Sequence, residues 1–148
     1  MKKRPQGEKA NGRRILVVDD DEVVRAVVVE ALDLFGYQAE AVSSGEEALA
    51  AFDEACHALL ITDYRMPGML GSELIQALRR RCPSLPTIAL TSAEADEELR
   101  AAGAFEILRK PFELGRFREA VETGLHQAKR EKIETRRQED AVPILREG

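Results

Sequence analysis

The stretch ALLITDYRMPGMLG, Ala58 to Gly71, decides how the chain is read. A short apolar and β-branched run ends on one carboxylate, Asp63, and a Met-Pro-Gly turn follows at 66–68. A run of this length bounded by turn residues fits a strand buried on both faces. An aspartate at its end can be a helix cap, a turn residue, a metal ligand or a reactive group, and the surrounding pattern selects among these.

Working outward, apolar runs and helical patterns alternate. RILVV (14–18), QAEAV (38–42), ALLIT (58–62), PTIAL (86–90) and FEIL (105–108) read as strands. Between them lie helical spacings. Val24, Val27, Val28, Ala31 and Phe35 form one face, stopped by Gly36. Ser44 and Glu47 form an S-x-x-E capping box ahead of Leu49 and Phe52. Helical patterns also cover SELIQALRRR (72–81) and EADEELRAAG (94–103), and Leu114, Phe117, Val121 and Leu125 mark a last helix. Five strand-then-helix units imply an α/β fold with a parallel sheet covered by helices on both faces. Right-handed crossovers and five strands favour the flavodoxin-like, doubly wound order 2-1-3-4-5.

The bulk properties agree with one folded domain. The chain has 148 residues and is 44% hydrophobic. No apolar run approaches the roughly 18–20 residues that cross a bilayer, and the charged MKKRPQGEKANG start lacks a signal-peptide core. The expectation is cytoplasmic. Net charge is −5, unevenly spread: residues 1–14 carry six Lys/Arg against one Glu, and residues 129–148 six against five acids, leaving 15–128 at −11. An acidic body argues against a nucleic-acid groove, so no direct nucleic-acid binding is expected. Cys56 and Cys82 provide no disulfide framework. Cys56 beside His57 offers too few ligands for a metal site and reads as a buried or half-buried thiol.

Ligands of an open parallel sheet bind beyond the C-terminal strand ends. There the first strand delivers Asp19, Asp20, Asp21 and Glu22, the third Asp63, the fourth Thr91 and Ser92, and the fifth Arg109, Lys110 and Pro111. Asp21 is the expected helix cap. Strands one and three are neighbours in the assumed order, so Asp19, Asp20 and Asp63 converge. Clustered carboxylates raise one another's pKa. A hard divalent cation relieves this, and Mg²⁺ favours one or two carboxylates with waters and phosphate oxygens. With Lys110 and Thr91 added, the set fits an aspartate that accepts a phosphoryl group.

ILVVDDD, TDYRMPG, ALTS and LRKPF closely resemble the receiver domain of bacterial two-component response regulators, over roughly Arg13 to Ala128. The resemblance implies that Asp63 is the phosphoacceptor. Asp20 would bind Mg²⁺ directly, Asp19 through a metal-bound water, and the Arg65 backbone carbonyl would complete the protein ligands. Thr91 would contact the phosphoryl group, and Lys110 would pair with it ahead of a cis bond to Pro111. The donor would be a phosphohistidine on a sensor histidine kinase or histidine phosphotransfer protein. One position departs from the pattern: three residues before the lysine, where receivers often carry Tyr or Phe, stands Ile107.

The organisation expected is a flexible basic leader (1–12), a receiver domain (13–128) and a charged tail (129–148). In the tail, Arg130 and Glu134 at i,i+4 spacing favour a helix extension, and AVPIL (141–145) is a small apolar patch. The leading reading is a stand-alone receiver that is not an enzyme beyond its own aspartyl phosphorylation and dephosphorylation. The alternative is a receiver fragment of a larger DNA-binding regulator or hybrid kinase. Two other classes fit less well. A phosphohydrolase with a D-x-D nucleophile would need a second acid at Arg65, and a Rossmann-type nucleotide site would need glycines where LVVDDDE carries acids.

Overall fold

The structure, a computed structural model, describes residues 14–128. The basic leader, the Arg130–Glu134 pair and the AVPIL patch lie outside the described residues. Five parallel strands, β1 (Arg14–Val18), β2 (Ala39–Val42), β3 (His57–Asp63), β4 (Thr87–Thr91) and β5 (Glu106–Arg109), form one sheet in the order β2-β1-β3-β4-β5. The helices are α1 (Glu22–Phe35), α2 (Gly45–Ala51), α3 (Gly71–Arg81), α4 (Asp96–Ala102) and α5 over 114–128. The expected doubly wound fold is the observed one, with bounds shifted by a residue or two. β3 extends to include Asp63, so the carboxylate stands on the last rung of the sheet.

The two-residue repeat of the strands sorts the core into two layers. Ile15, Val17, Leu59, Ile61, Ile88, Leu90 and Leu108 pack against Val28, Ala31 and Leu32 of α1 and Phe117, Ala120 and Val121 of α5. Leu16, Val18, Leu60, Ala89 and Ile107 point the other way, towards Ala48 of α2, Leu74, Ile75 and Leu78 of α3, and Leu99 and Ala102 of α4. All seven residues of β3 are buried, as a central strand with helices on both sides requires.

Local chemistry explains the element ends, and three expectations need correction. Asp21 caps α1 by accepting from the Val23 and Val24 N–H groups, and Gly36 ends it in the left-handed region at φ 95°. The buried face of α1 uses Leu32; Val27 is 48% exposed, because the helix turns about 100° per residue and Val27 falls outside the stripe that meets the sheet. Leu114 is likewise exposed at the start of α5, where Phe117 makes the first deep contact. At α2 the Ser44 hydroxyl accepts from Glu47 N–H, but the Glu47 carboxylate reaches back to Ser43, taking its N–H and its hydroxyl. The box is therefore one residue longer than the simple motif.

The entry to α3 is tighter still. Gly71 N–H donates to the Tyr64 carbonyl at 2.6 Å. A Cβ on Gly71 would lie 2.1 Å from the Asp63 carbonyl oxygen, so backbone meets backbone with no room for a side chain. Gly71→Ala is expected to destabilise the fold by about 1–3 kcal/mol through this overpacking. Urea unfolding should show a lower midpoint with an unchanged slope, and an unaltered midpoint would contradict the close approach.

Candidate functional site

The rim is assembled from four strand ends. Oxygens of Asp19, Asp20 and Asp63 lie within 4.8 Å of one another, with Asp19 and Asp63 buried and Asp20 exposed. This proximity follows from the topology: β1 and β3 are paired, with Val18 opposite Thr62, so Asp19, just past the end of β1, meets Asp63, the last residue of β3. Asp19 is tied on both oxygens, Oδ1 accepting from Asp21 N–H at 2.9 Å and Oδ2 from Lys110 Nζ at 2.9 Å. Asp63 Oδ1 accepts from Tyr64 N–H at 2.7 Å and lies 3.3 Å from Lys110 Nζ. Asp63 Oδ2 has no hydrogen-bond donor among the described residues.

Lys110 reaches this point because it directly follows β5. The Lys110 N–H donates to the Thr91 carbonyl at 3.1 Å, and the bond from Lys110 to Pro111 is cis, as the resemblance implied. Burial pulls the Lys110 pKa down, but the adjoining Asp19 and Asp63 carboxylates outweigh it and the net shift is upward. Burial raises the Asp63 pKa from its ordinary value, Asp19 raises it further, and Lys110 with the Tyr64 N–H restrains the shift. One ammonium thus stands among three carboxylates, a surplus of negative charge on an all-oxygen donor set. That donor set fits a hard divalent cation.

Not every candidate joins the cluster. Thr91 is buried at the end of β4, and its hydroxyl accepts from Ala93 N–H at 2.9 Å instead of contacting a carboxylate. Arg65 follows Tyr64 in the loop after β3 with an exposed side chain, its guanidinium carbon 5.7 Å from the Tyr64 ring centroid. Arg109 turns away from the acids to the Ala93 carbonyl and the Asp96 carboxylate. The Cys56–His57 pair lies at the opposite end of β3. His57 Nε2 meets Glu40 at 2.9 Å, and its Nδ1 accepts from Asp53 N–H at 3.0 Å. Cys56 is exposed, contrary to the expectation of burial, and its thiol donates to Asp53.

Two groups at the rim escaped the sequence reading. Arg25 Nη1 donates to the Asp19 carbonyl at 2.9 Å, steadying the loop that carries the acids from one turn inside α1. The Tyr64 hydroxyl donates to Glu98 Oε1 at 2.7 Å, and the Ser72 hydroxyl to Glu98 Oε2 at 2.5 Å. For Arg25, a cation near the start of a helix that follows an acidic loop is a usable signal. The Tyr64–Glu98 bond spans 34 positions and leaves no local pattern.

Fold and rim together define a doubly wound α/β domain that gathers carboxylates and an ammonium at its topological switch point. The chain belongs to the response regulator receiver domain family, whose family model matches residues 15–122. It is 37% identical over 103 residues to the response regulator protein FleR of Pseudomonas aeruginosa, covering 68% of this chain and 22% of that protein. It is 38% identical over 103 residues to the DNA-binding transcriptional regulator NtrC of Salmonella typhimurium, again covering 68% and 22%. A solved structure of a putative response regulator from Chloroflexus aurantiacus superposes with a TM-score of 0.73 at 32% identity, over 77% of this chain and 98% of that one. The chain thus spans about a fifth of the length of these curated relatives. Among the described residues no helix is long and apolar enough to cross a membrane.

The raised Asp63 pKa has a consequence for stability. The folded state holds the Asp63 proton more readily than the unfolded chain, so this group's contribution is fully present below the ordinary Asp pKa of about 3.9 and is lost as pH rises through the higher folded value. At neutral pH, without metal, Asp63→Asn should therefore be more stable than the parent, and the gap should close on acidification. Urea midpoints of both proteins at pH 7.5 and pH 4 check this; a less stable Asn variant at pH 7.5 contradicts it.

Proposed function

We propose that this chain is a phosphoacceptor in two-component signalling. On this reading Asp63 takes a phosphoryl group from the phosphohistidine of a sensor histidine kinase or histidine phosphotransfer protein, and partner binding changes with its phosphorylation state. The observation that carries the reading is the division of labour at Asp63: Oδ1 is held by the Tyr64 N–H and Lys110, while Oδ2 has no donor among the described residues. Oδ2 is then the nucleophilic atom. Its lone pair forms the O–P bond as the P–N bond to the donor imidazole breaks, and that bonding pair stays on the imidazole nitrogen. Hydrolysis reverses the state: water adds to phosphorus, the O–P bond breaks, and Asp63 returns to a carboxylate with release of inorganic phosphate. The domain has no other substrate on this account and is not an enzyme beyond its own acyl phosphate chemistry.

Asp20 and Asp63, with the Arg65 backbone carbonyl, would hold Mg²⁺ directly. Asp19, whose two oxygens are already engaged, would act through a bound water. The ion supplies charge neutralisation at the transferring oxygens. Lys110, already against both Asp19 and Asp63, is placed to exchange its Asp63 contact for a phosphoryl oxygen. Thr91 would turn its hydroxyl from Ala93 to another such oxygen. Residence in the cytoplasm, where histidine kinases deliver phosphate, belongs to the same reading. So does the absence of direct nucleic-acid contact by the acidic body.

A second reading makes the domain the receiver part of a larger DNA-binding regulator or hybrid kinase. It rests on the length of the curated relatives, NtrC being described as DNA-binding as a whole. The intact mass of the protein purified from its own cells separates the two.

Acetyl phosphate with Mg²⁺ should add one phosphate to the parent, read by intact mass, and none to Asp63→Asn. Labelling of the Asn variant would move the acceptor elsewhere. Asp20→Asn should weaken Mg²⁺ binding about tenfold or more, a change of about 1.4 kcal/mol. An unchanged affinity in a Mg²⁺ titration would remove Asp20 from the metal site.

A further inference from the structure

The side chain after the acceptor is built into a different part of the protein from the acceptor itself. Tyr64 holds Asp63 Oδ1 through its backbone N–H at 2.7 Å and holds Glu98 of α4 through its hydroxyl at 2.7 Å. Glu98 is gripped a second time by Ser72, in the first turn of α3. The ring is 92% covered, since Tyr64 is only 8% exposed, and it belongs to the cluster that contains Leu99, Ala102, Ala104 and Ile107. Helix α4 has seven residues and no side-chain hydrogen bond at its N-cap, Ala95, so it depends on outside tethers. Those tethers are the Glu98 pair of hydrogen bonds, the Arg109–Asp96 bridge and the packing of Leu99 and Ala102. Among the described residues the Glu98 tether leads to Asp63 through one residue, Tyr64, whereas the Asp96 tether needs two, Arg109 and Lys110.

We infer that Tyr64 is the residue that couples the state of Asp63 to the position of α4, with its hydroxyl bond to Glu98 as the transmitting contact. The inference rests on the phosphoacceptor reading of Asp63 and specifies how that site is read out. Formation of an acyl phosphate on Oδ2 removes the negative charge that Oδ1 shares, so a charge-assisted bond from the Tyr64 N–H becomes an ordinary one. Lys110 is drawn from Oδ1 to the phosphoryl group at the same time. The backbone at Tyr64 is then held less strongly on its Asp63 side, while its carbonyl stays bonded to the Gly71 N–H and its hydroxyl still holds Glu98. Any shift at residue 64 is carried to α4 and, through Ser72, opposed by α3, whose entry at Gly71 is packed too closely on β3 to follow. The Glu98 pKa is lowered by its Ser72 hydrogen bond and then by that from Tyr64, as expected for a carboxylate receiving both bonds in its charged form. Ile107, at the place on β5 that faces the same cluster, has neither ring nor hydroxyl for such a link. The chain's other tyrosine, Tyr37, packs in the α1–α5 layer.

The test uses amide-shift mapping of the full chain with Mg²⁺ and beryllofluoride, a non-hydrolysing phosphoryl mimic. In the parent, shifts are expected at 19–21, 63–65 and 110 and across 94–103. Tyr64→Phe keeps the ring and removes only the hydroxyl. It should retain the rim shifts with the same saturation and lose at least half of the response at 94–103. Glu98→Ala, at the other end of the bond, should lose the response similarly, and the double variant should lose no more than either alone. A full response at 94–103 in Tyr64→Phe overturns the inference while leaving the phosphoacceptor reading intact. Should Tyr64→Phe fail to fold, a full response in Glu98→Ala overturns it equally. Absence of rim shifts in the parent overturns the phosphoacceptor reading, and the inference with it.

Discussion

Everything at the rim depends on two buried carboxylates, Asp19 and Asp63, being held side by side with one ammonium between them. Lys110 reaches both, at 2.9 and 3.3 Å, from the far end of the sheet order relative to β1. Its bridge links strands that are not neighbours: β1 and β3 supply the acids, β5 supplies the base, and β4 lies between β3 and β5. A like-charged pair in a partly desolvated place is unstable without such a partner, and the raised pKa of Asp63 shows that one ammonium does not fully compensate. The residual negative charge lies on an all-oxygen donor set of the kind that suits a hard divalent cation. It also makes any event that changes the charge on Asp63 large on the local energy scale.

The scaffold around this cluster is organised to keep it in place. Asp21 takes the task of capping α1, leaving Asp19 and Asp20 for the rim, and the Asp21 N–H in turn holds Asp19 Oδ1. Arg25 fixes the Asp19 carbonyl from inside the same helix. On the β3 side, Gly71 brings the α3 backbone against the Asp63 carbonyl, so the strand end cannot slide without moving a helix. Three consecutive aspartates therefore hold three different positions, set by the direction in which the chain leaves β1 and not by their shared chemistry.

The fold was legible in the sequence because its signals are periodic. Buried parallel strands read as continuous apolar runs, and the rim acids fall at the ends of those runs, so Asp19, Asp20, Asp63 and Lys110 could be placed from strand order alone. Errors arose where a period is ambiguous or a contact is remote. Val27 satisfies helical spacing with Val24 and Ala31, as Leu32 does with Val28, and only the angle at which α1 meets the sheet buries one and exposes the other. Leu114 fits the spacing of α5 but precedes the point where that helix reaches the core. The Ser43–Glu47 bond extends a known motif by one residue, and the Tyr64–Glu98–Ser72 set joins three elements with no spacing rule between them.

The two core layers are not equivalent with respect to Asp63. Its neighbours on β3 alternate, Ile61 facing α1 and α5 and Leu60 facing α2, α3 and α4. Asp63 itself ends the strand, and the next residue commits to one side: the Tyr64 ring enters the α2–α4 layer and its hydroxyl ends on α4. On the other side α5 is locked to α1 by aromatic contacts, Phe117 standing 6.0 Å from Phe35 and 4.9 Å from Phe112 between ring centroids. Packed aromatic layers of this kind resist small displacements, because interiors at crystal-like density have no slack to absorb them. A seven-residue helix without a side-chain cap, whose hydrogen-bonding tethers leave from the exposed Glu98 and the part-exposed Asp96, has far less to resist with. The asymmetry between the layers therefore makes α4 the element that gives way most easily to a displacement at the rim, through packing and tethering that the fold already contains.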